Sequence, residues 1–252
     1  MTPVESAIRD FVREHTEAAT RFLAEIVKVP SDNPPGDCNR SAEVVATLLE
    51  GLGFQVERHK VPEALVQANG MISATNLIAR RRFREGPTIA LNAHGDVVPP
   101  GTGWTHDPYG AAIVDGWLYG RGSAVSKSDI ATYAFAMLAL EKCGAALNGA
   151  VELHVTYDEE AGGEIGPRYL LENGLSHPDL AIGAGFSYAV VNAHNGALHL
   201  EVEVLGRSAH AARPSTGVDA LEAANTILSA LYGWRGGLHA RTSAIPGIGS
   251  RR

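Results

Sequence analysis

The sequence predicts an α/β fold, with a central, mostly parallel sheet flanked by helices, followed by a smaller unit of different character. Three observations carry this. Apolar positions on helical spacing alternate with short apolar runs as far as about Ala193. Two of those runs, Thr88 to Asp96 (TIALNAHGD) and Val151 to Glu160 (VELHVTYDEE), end abruptly in polar clusters, and in such sheets sites lie at the carboxyl ends of strands. From Asn195 the pattern changes. Leu198, Leu200, Val202 and Val204 alternate with His199, Glu201 and Glu203, as in an antiparallel strand with one wet face. The chain therefore divides into residues 1–193 and 194–252.

With 252 residues, 45% of them hydrophobic and 19% charged, the chain can bury one large core or two ordinary ones. Lys+Arg 21 against Asp+Glu 28 leaves a net charge of −7, which argues against nucleic acid or an anionic membrane as partner. The opening MTPVESAIRDFVREH carries acids and lacks an apolar stretch with a cleavage site, so a cytoplasmic location is expected. Cys38 and Cys143 are too few for a disulfide framework or a thiolate metal site and are expected to be free thiols.

Taken in order, Val4 to Val27 predicts one helix, from Ile8, Phe11 and Val12 through Phe22, Leu23, Ile26 and Val27. SDNPPGD breaks it. A second helix carries Val44, Val45, Leu48, Leu49 and Leu52, and FQVERHKV reads as a strand. Asn76 to Arg80 and Thr88 to Ala93 are strands joined by RRRFREG, read as a solvated hairpin connection. The long segment after Asp96, rich in Pro, Gly and aromatics, is the kind of loop that builds a site on a rigid scaffold. Ile130 to Leu138 predicts a helix stopped by Gly144, and Val151 to Tyr157 a strand with His154 on its polar phase, in a surface or half-buried role rather than as a ligand. DLAIG adds a short strand. In the second unit, Ala197 to Leu205 predicts a strand, and Leu221, Ala224, Leu228 and Leu231 a helix ending near Gly233.

The chemistry concentrates at two strand ends. His94 has the character of a zinc ligand and Asp96 of the carboxylate that orients its ring; the same residues also suit a plain strand-to-turn junction. Asp158, Glu159 and Glu160 offer neighbouring carboxylates, one able to bind a metal and another to take a proton from water, or else a solvated acidic turn. GRGSAVSKS, Gly120 to Ser128, does not match a phosphate loop, because Arg121 and Ser126 stand where glycines are required.

Over essentially its whole length the chain resembles the zinc aminoacylases and peptidases that include acetylornithine deacetylase, succinyl-diaminopimelate desuccinylase and the glutamate carboxypeptidases. The resemblance rests on VPSDNPPGD, AHGDVVP, WTHDPY with DGWLYGRG, DEEAGG and GRSAHAARPSTGVDAL. It implies that His94 and Glu160 are metal ligands, Asp96 the orienting partner and Glu159 the general base. It further implies that His210 polarises the substrate carbonyl across a homodimer, and that residues 194–252 are part of an α+β, ferredoxin-like dimerisation lid. The implied activity is zinc-dependent hydrolysis of an amide in an N-acyl amino acid or small peptide.

The departures from the family pattern are specific. Where the family carries GRG-x-x-Asp-x-Lys, with the aspartate bridging two zinc ions, this chain has Val125; near the end of DLAIGAGF, where an acid is expected, it has Gly185. The family's last ligand, a downstream histidine, would lie beyond Arg252, so a chain truncated in the dimerisation domain is expected. Asp129, one helical turn after Val125, could compensate, but Ser126 to Asp129 reads more readily as a capping box. Weak zinc binding follows. The alternative is a metal-free, catalytically impaired member acting as a binding or dimerising module.

Overall fold

The computed structural model describes residues 2–144, 146–185, 189–191, 198–238 and 241. The chain separates into two compact units, Met1–Ala189 and Val190–Arg252.

The first unit opens with α1 (Pro3–Glu14), started by a capping box: Thr2 Oγ1 accepts the Glu5 N–H at 3.2 Å and Glu5 accepts the Thr2 N–H at 2.7 Å. The single helix expected over Val4–Val27 is in fact two, because His15 leaves helical geometry at φ −102° and ψ 10° before α2 (Thr16–Val27) begins. Its ring stacks on Phe11 at 3.9 Å and Nδ1 donates to the Phe11 carbonyl at 2.8 Å, a side-chain contact that competes with helix continuation. There follow α3 (Asn39–Gly51), β1 (Val56–Lys60), α4 (Glu63–Ala68), β2 (Thr75–Arg84), β3 (Thr88–His94), β4 (Ala112–Val114), β5 (Trp117–Tyr119), α5 (Lys127–Lys142), β6 (Gly149–Thr156), α6 (Pro167–Glu172) and β7 (Leu180–Gly183).

Five strands make the main sheet in the order β1-β2-β6-β3-β7. β6, β3 and β7 run parallel, while β1 and β2 join antiparallel at one side. Helix residues Phe22, Ile26, Val45, Leu49, Ile130 and Met137 share one buried cluster with Leu77, Leu91, Leu153 and Val155 of the sheet. RRRFREG is not a hairpin connection. β2 continues through Arg84, and β6 lies between β2 and β3, pairing Arg80 with Glu152 and Arg82 with Ala150.

The middle position of β6 also overturns the expected surface or half-buried placement of His154. Both faces of the strand are covered, and Glu152 and His154 are only 5% and 4% exposed. Such polar groups persist inside only when hydrogen-bonded. Glu152 receives Arg80 Nε at 2.8 Å and Ser176 Oγ at 2.5 Å, and His154 Nε2 lies 2.9 Å from it. Burial alone would raise the Glu152 carboxyl, but these hydrogen bonds outweigh it and bring it down to about 2. The irregular segment after Asp96 holds the β4–β5 hairpin, whose turn residues Asp115 and Gly116 both have positive φ, 50° and 81°. Asp-Gly is a strong sequence signal for such a turn.

In the second unit, residues 198–205 form no strand, contrary to expectation; Ala197 lies outside the described residues. No described strand lies beside them to pair their backbone groups, and a lone strand is not stable. Arg207 and Val218 instead form an isolated antiparallel bridge with N–H···O distances of 3.0 and 2.9 Å. The Asp219 carboxylate then accepts the Leu221 and Glu222 N–H groups, opening α7 (Ala220–Leu238), which runs past the expected stop at Gly233. Among the described residues no helix is long and apolar enough to cross a membrane.

Candidate active site

The register of the parallel strands decides what meets. His94 of β3 lies opposite Thr156 of β6, and Asn92 of β3 opposite Gly183 of β7, so three carboxyl ends share one edge of the sheet. Beyond Thr156 the chain enters the 3-10 turn Glu159–Ala161; beyond Gly183 it continues into Ala184 and Gly185. Gly95 passes so close to the Tyr157 ring that a Cβ there would overlap it, and its N–H donates to the Thr156 carbonyl at 2.8 Å. A cavity of about 510 Å³ results, lined among others by His94, Arg121, Val125, Glu159, Glu160 and Gly185.

Within it His94, Glu159 and Glu160 each offer one ligand atom, all within 4.8 Å of one another. His94 Nε2 is 3.8 Å from the Glu159 carboxylate. On the other side of the ring, Nδ1 lies 2.9 Å from the Asp96 carbonyl and 3.4 Å from its carboxylate. A proton on Nδ1 therefore leaves the Nε2 lone pair facing the two glutamates.

Asp96 is wholly buried, and its carboxylate is the hub of the site. It accepts Asn33 Nδ2 at 3.0 Å and the backbone N–H groups of Glu159 at 3.3 Å and Glu160 at 3.2 Å. Asn33 stands in VPSDNPPGD, a segment that could be quoted as a motif without a role being assigned to any of its side chains. It is held beside β3 by Asn33 N–H to the Val97 carbonyl at 2.8 Å and Ser31 Oγ to the Gly95 carbonyl at 2.6 Å.

The electrostatics suit a cation. Burial disfavours the His94 imidazolium, yet the hydrogen bond and charge of Asp96, with Glu159, outweigh it and raise the ring above its ordinary value. Glu160 is raised by burial and then by the neighbouring Glu159. Asp158 is different: it turns inward, accepts the Ile165 N–H at 2.6 Å and is pushed up to about 6, chiefly by burial.

Val125 and Gly185, which stand where the sequence pattern leads one to expect acids, both line the cavity and bring no side-chain donor to it. The capping box expected from Ser126 to Asp129 is not formed. Ser126 is the N-cap residue of α5 without a side-chain cap bond, and its Oγ instead accepts the His94 N–H at 3.2 Å. Asp129 sits beside Ser126 with one buried oxygen unpartnered among the described residues; it is outside the His94, Glu159 and Glu160 group. Lys127, for which no role was foreseen, is buried and donates to the Ile26 and Val29 carbonyls at 3.1 and 3.0 Å, tying α5 to the end of α2. Burial brings its amine down to about 8.

His210 belongs to the second unit, where it is exposed, accepts the Ala212 N–H at 3.1 Å and lines a shallow hollow of about 340 Å³ with Arg207, Asp219 and Glu222. The donor set of the first unit, one imidazole and two carboxylates, fits a single divalent ion such as zinc. A second ion finds no comparable set among the described residues.

Comparison with known proteins identifies the family. The profile of peptidase family M20/M25/M40 matches residues 90–233. The succinyl-diaminopimelate desuccinylase of Methylobacterium radiotolerans is 32% identical over 231 residues, covering 85% of this chain and 56% of that protein. That of Gluconacetobacter diazotrophicus is 32% identical over 229 residues, covering 86% and 57%. The chain thus spans about half the length of the curated relatives it matches. Among solved structures, human carnosine dipeptidase 1 superposes with a TM-score of 0.58 at 23% identity, over 73% of this chain and 42% of that one. The M20 family metallo-carboxypeptidase Sso-CP2 from Sulfolobus solfataricus gives 0.56 at 23% identity, over 67% and 37%. These two likenesses speak to the fold.

Proposed function

The chain belongs to peptidase family M20/M25/M40, and from that premise we propose a metal-dependent hydrolase that cleaves the amide bond of an N-acyl amino acid or small peptide. The convergence of His94, Glu159 and Glu160 within 4.8 Å at the carboxyl edge of the sheet carries the reading. In it, His94 and Glu160 would hold the ion, and Glu159, the third of the gathered groups, is left beside it as the base. A bound zinc would supply Lewis acidity toward the scissile carbonyl. Glu159, whose side chain is 61% exposed and so open to substrate and water, takes the proton of the attacking water and returns it to the departing nitrogen. Asp96 keeps the His94 ring in its binding tautomer and fastens both glutamates through their backbone. His210, in the second unit acting as a dimerisation lid, reaches the active site of the other copy in a homodimer and stabilises the oxyanion there. The desuccinylase relatives support an N-acylated amino acid as substrate class.

A second reading rests on Val125 and Gly185, whose placement on the cavity wall without donors favours a protein that keeps the pocket but not the metal and acts as a binding module. One pair of variants separates the two. In the first reading Glu159→Gln lowers kcat on an N-acyl amino acid by at least about 100-fold with zinc content unchanged, whereas Glu160→Gln lowers zinc affinity. Equal zinc loss in both variants would show the roles to be wrongly divided. Absence of both zinc binding and hydrolysis in the unaltered protein selects the second reading.

A further inference from the structure

Lys127 is 1% exposed, and it is the only lysine or arginine among the buried described residues. Nothing local favours a cation there. It is the first residue of α5, where the positive end of the helix dipole repels an ammonium, and Ser126 before it makes no side-chain cap bond. A charge taken out of water must find partners, and those of Lys127 lie about a hundred positions upstream, at 26 and 29, where the Ile26 and Val29 carbonyls receive Nζ at 3.1 and 3.0 Å. Ile26 is in the last turn of α2, whose final carbonyls have no partner within the helix and which carries no basic residue of its own there. Burial works against the charge of the amine, and Asp32, then Cys38 and Asp96, work for it.

The consequence falls on the cavity wall. Gly120 packs on Val27 too closely for a side chain, and a Cβ at Gly122 would lie 2.7 Å from Val97 Cγ1 and 3.2 Å from Lys127 Cδ, so the 120–126 turn is wedged between the end of α2 and the stem of Lys127. Val125 of this turn lines the cavity. Ser126, wholly buried, accepts the His94 N–H at 3.2 Å through Oγ. Contacts therefore run from the end of α2 through Lys127 and Ser126 to the backbone of His94. We propose that Lys127 is a positioning residue of the metal site: its ammonium locks the 120–126 turn to α2 and, through Ser126, sets the place of His94. The inference deepens the metal-dependent reading above and rests on it for His94 as a ligand.

Lys127→Met in the full chain keeps the stem and removes the charge with its donors. Two measurements are made, at a temperature where the variant is folded. Zinc affinity, from chelator competition, is expected to fall by about 10-fold or more, as when other partners that orient a metal-bound histidine are lost. In the metal-free chain, amide hydrogen exchange at His94 is expected to quicken by about 10-fold more than at Leu153, a wholly buried residue of the central strand β6 that reports global opening. Unchanged zinc affinity, or equal quickening at both amides, shows a merely structural role and overturns the proposal. Should Lys127→Met fail to fold, Ser126→Ala cuts the same path at its last step, and unchanged exchange at His94 in that variant overturns the proposal. Failure of the metal-dependent reading is distinguishable. If the unaltered chain binds no zinc, that reading falls, and exchange alone decides: selective quickening at His94 sustains the positioning role and equal quickening overturns it. Zinc binding and hydrolysis both indifferent to Lys127→Met leave only the hydrolase reading.

Discussion

The Asp96 carboxylate accepts the backbone N–H of Glu160 at 3.2 Å across 64 positions of sequence. One buried side chain thereby sets both the imidazole and the acidic turn, so its loss should be felt twice. Asp96→Asn replaces an acceptor oxygen by an NH2 that faces N–H donors. We expect zinc affinity to fall by about 10- to 100-fold, as for other partners of metal-bound histidine, together with a lower melting temperature in metal-free buffer. Chelator competition and thermal melts measure the two effects, and an unchanged zinc affinity would remove Asp96 from its orienting role.

The walls of the cavity limit the metal count. With Val125 and Gly185 offering no ligand atom, the protein should retain no more than one zinc per chain after dialysis, measured by elemental analysis. Two ions per chain would require donors such as Asp129 to swing in. Conversely, Val125→Asp should lower the melting temperature in chelator, since it adds an uncompensated carboxylate to the cluster, and zinc should restore it.

Glu152 gives the first unit an acid-sensitive core. Its carboxyl is held at about 2 against an ordinary 4.5, so the unfolded chain takes up the proton first as pH falls. The stabilisation is complete above pH 4.5 and fades as pH drops toward 2. Glu152→Gln should cost about 3 kcal/mol near neutrality, the order expected when a buried charged network loses one member. It should also flatten the acid limb of the stability curve, which denaturant unfolding at several pH values would show. An unaltered acid limb would place the acid sensitivity elsewhere.

In the second unit, Leu198, Leu200, Val202 and Leu205 are exposed, as are Leu221, Leu228, Tyr232 and Trp234 of α7. So much apolar surface on one small unit should drive association. Light scattering at tens of micromolar, on the order of the concentrations at which exposed apolar surface aggregates, is expected to show dimers or larger species. A monodisperse monomer there would argue against the dimerisation role.

Much of the site could be read without coordinates, for a physical reason: His94 and the Asp158-Glu159-Glu160 run each end an apolar strand pattern, and the chemistry of imidazole and carboxylate is carried by residue type. The Asp115-Gly116 turn was legible too, yet it was submerged in a segment read as a loop. What the sequence by itself determined was the α/β class, those helices and strands of the first unit that carry a clear apolar period, and the identity of the polar groups at two strand ends. Only the tertiary structure decided that β6 inserts between β2 and β3, because strand order depends on long-range pairing that no local period encodes. That insertion buries His154 and makes a network of Glu152, Arg80 and Ser176, residues far apart in sequence. Strand register likewise brings His94 level with Thr156, and so lets Asp96 reach the turn bearing Glu159 and Glu160. The same dependence on a neighbour explains 198–205, where alternation marks a strand but no described partner exists to pair with it.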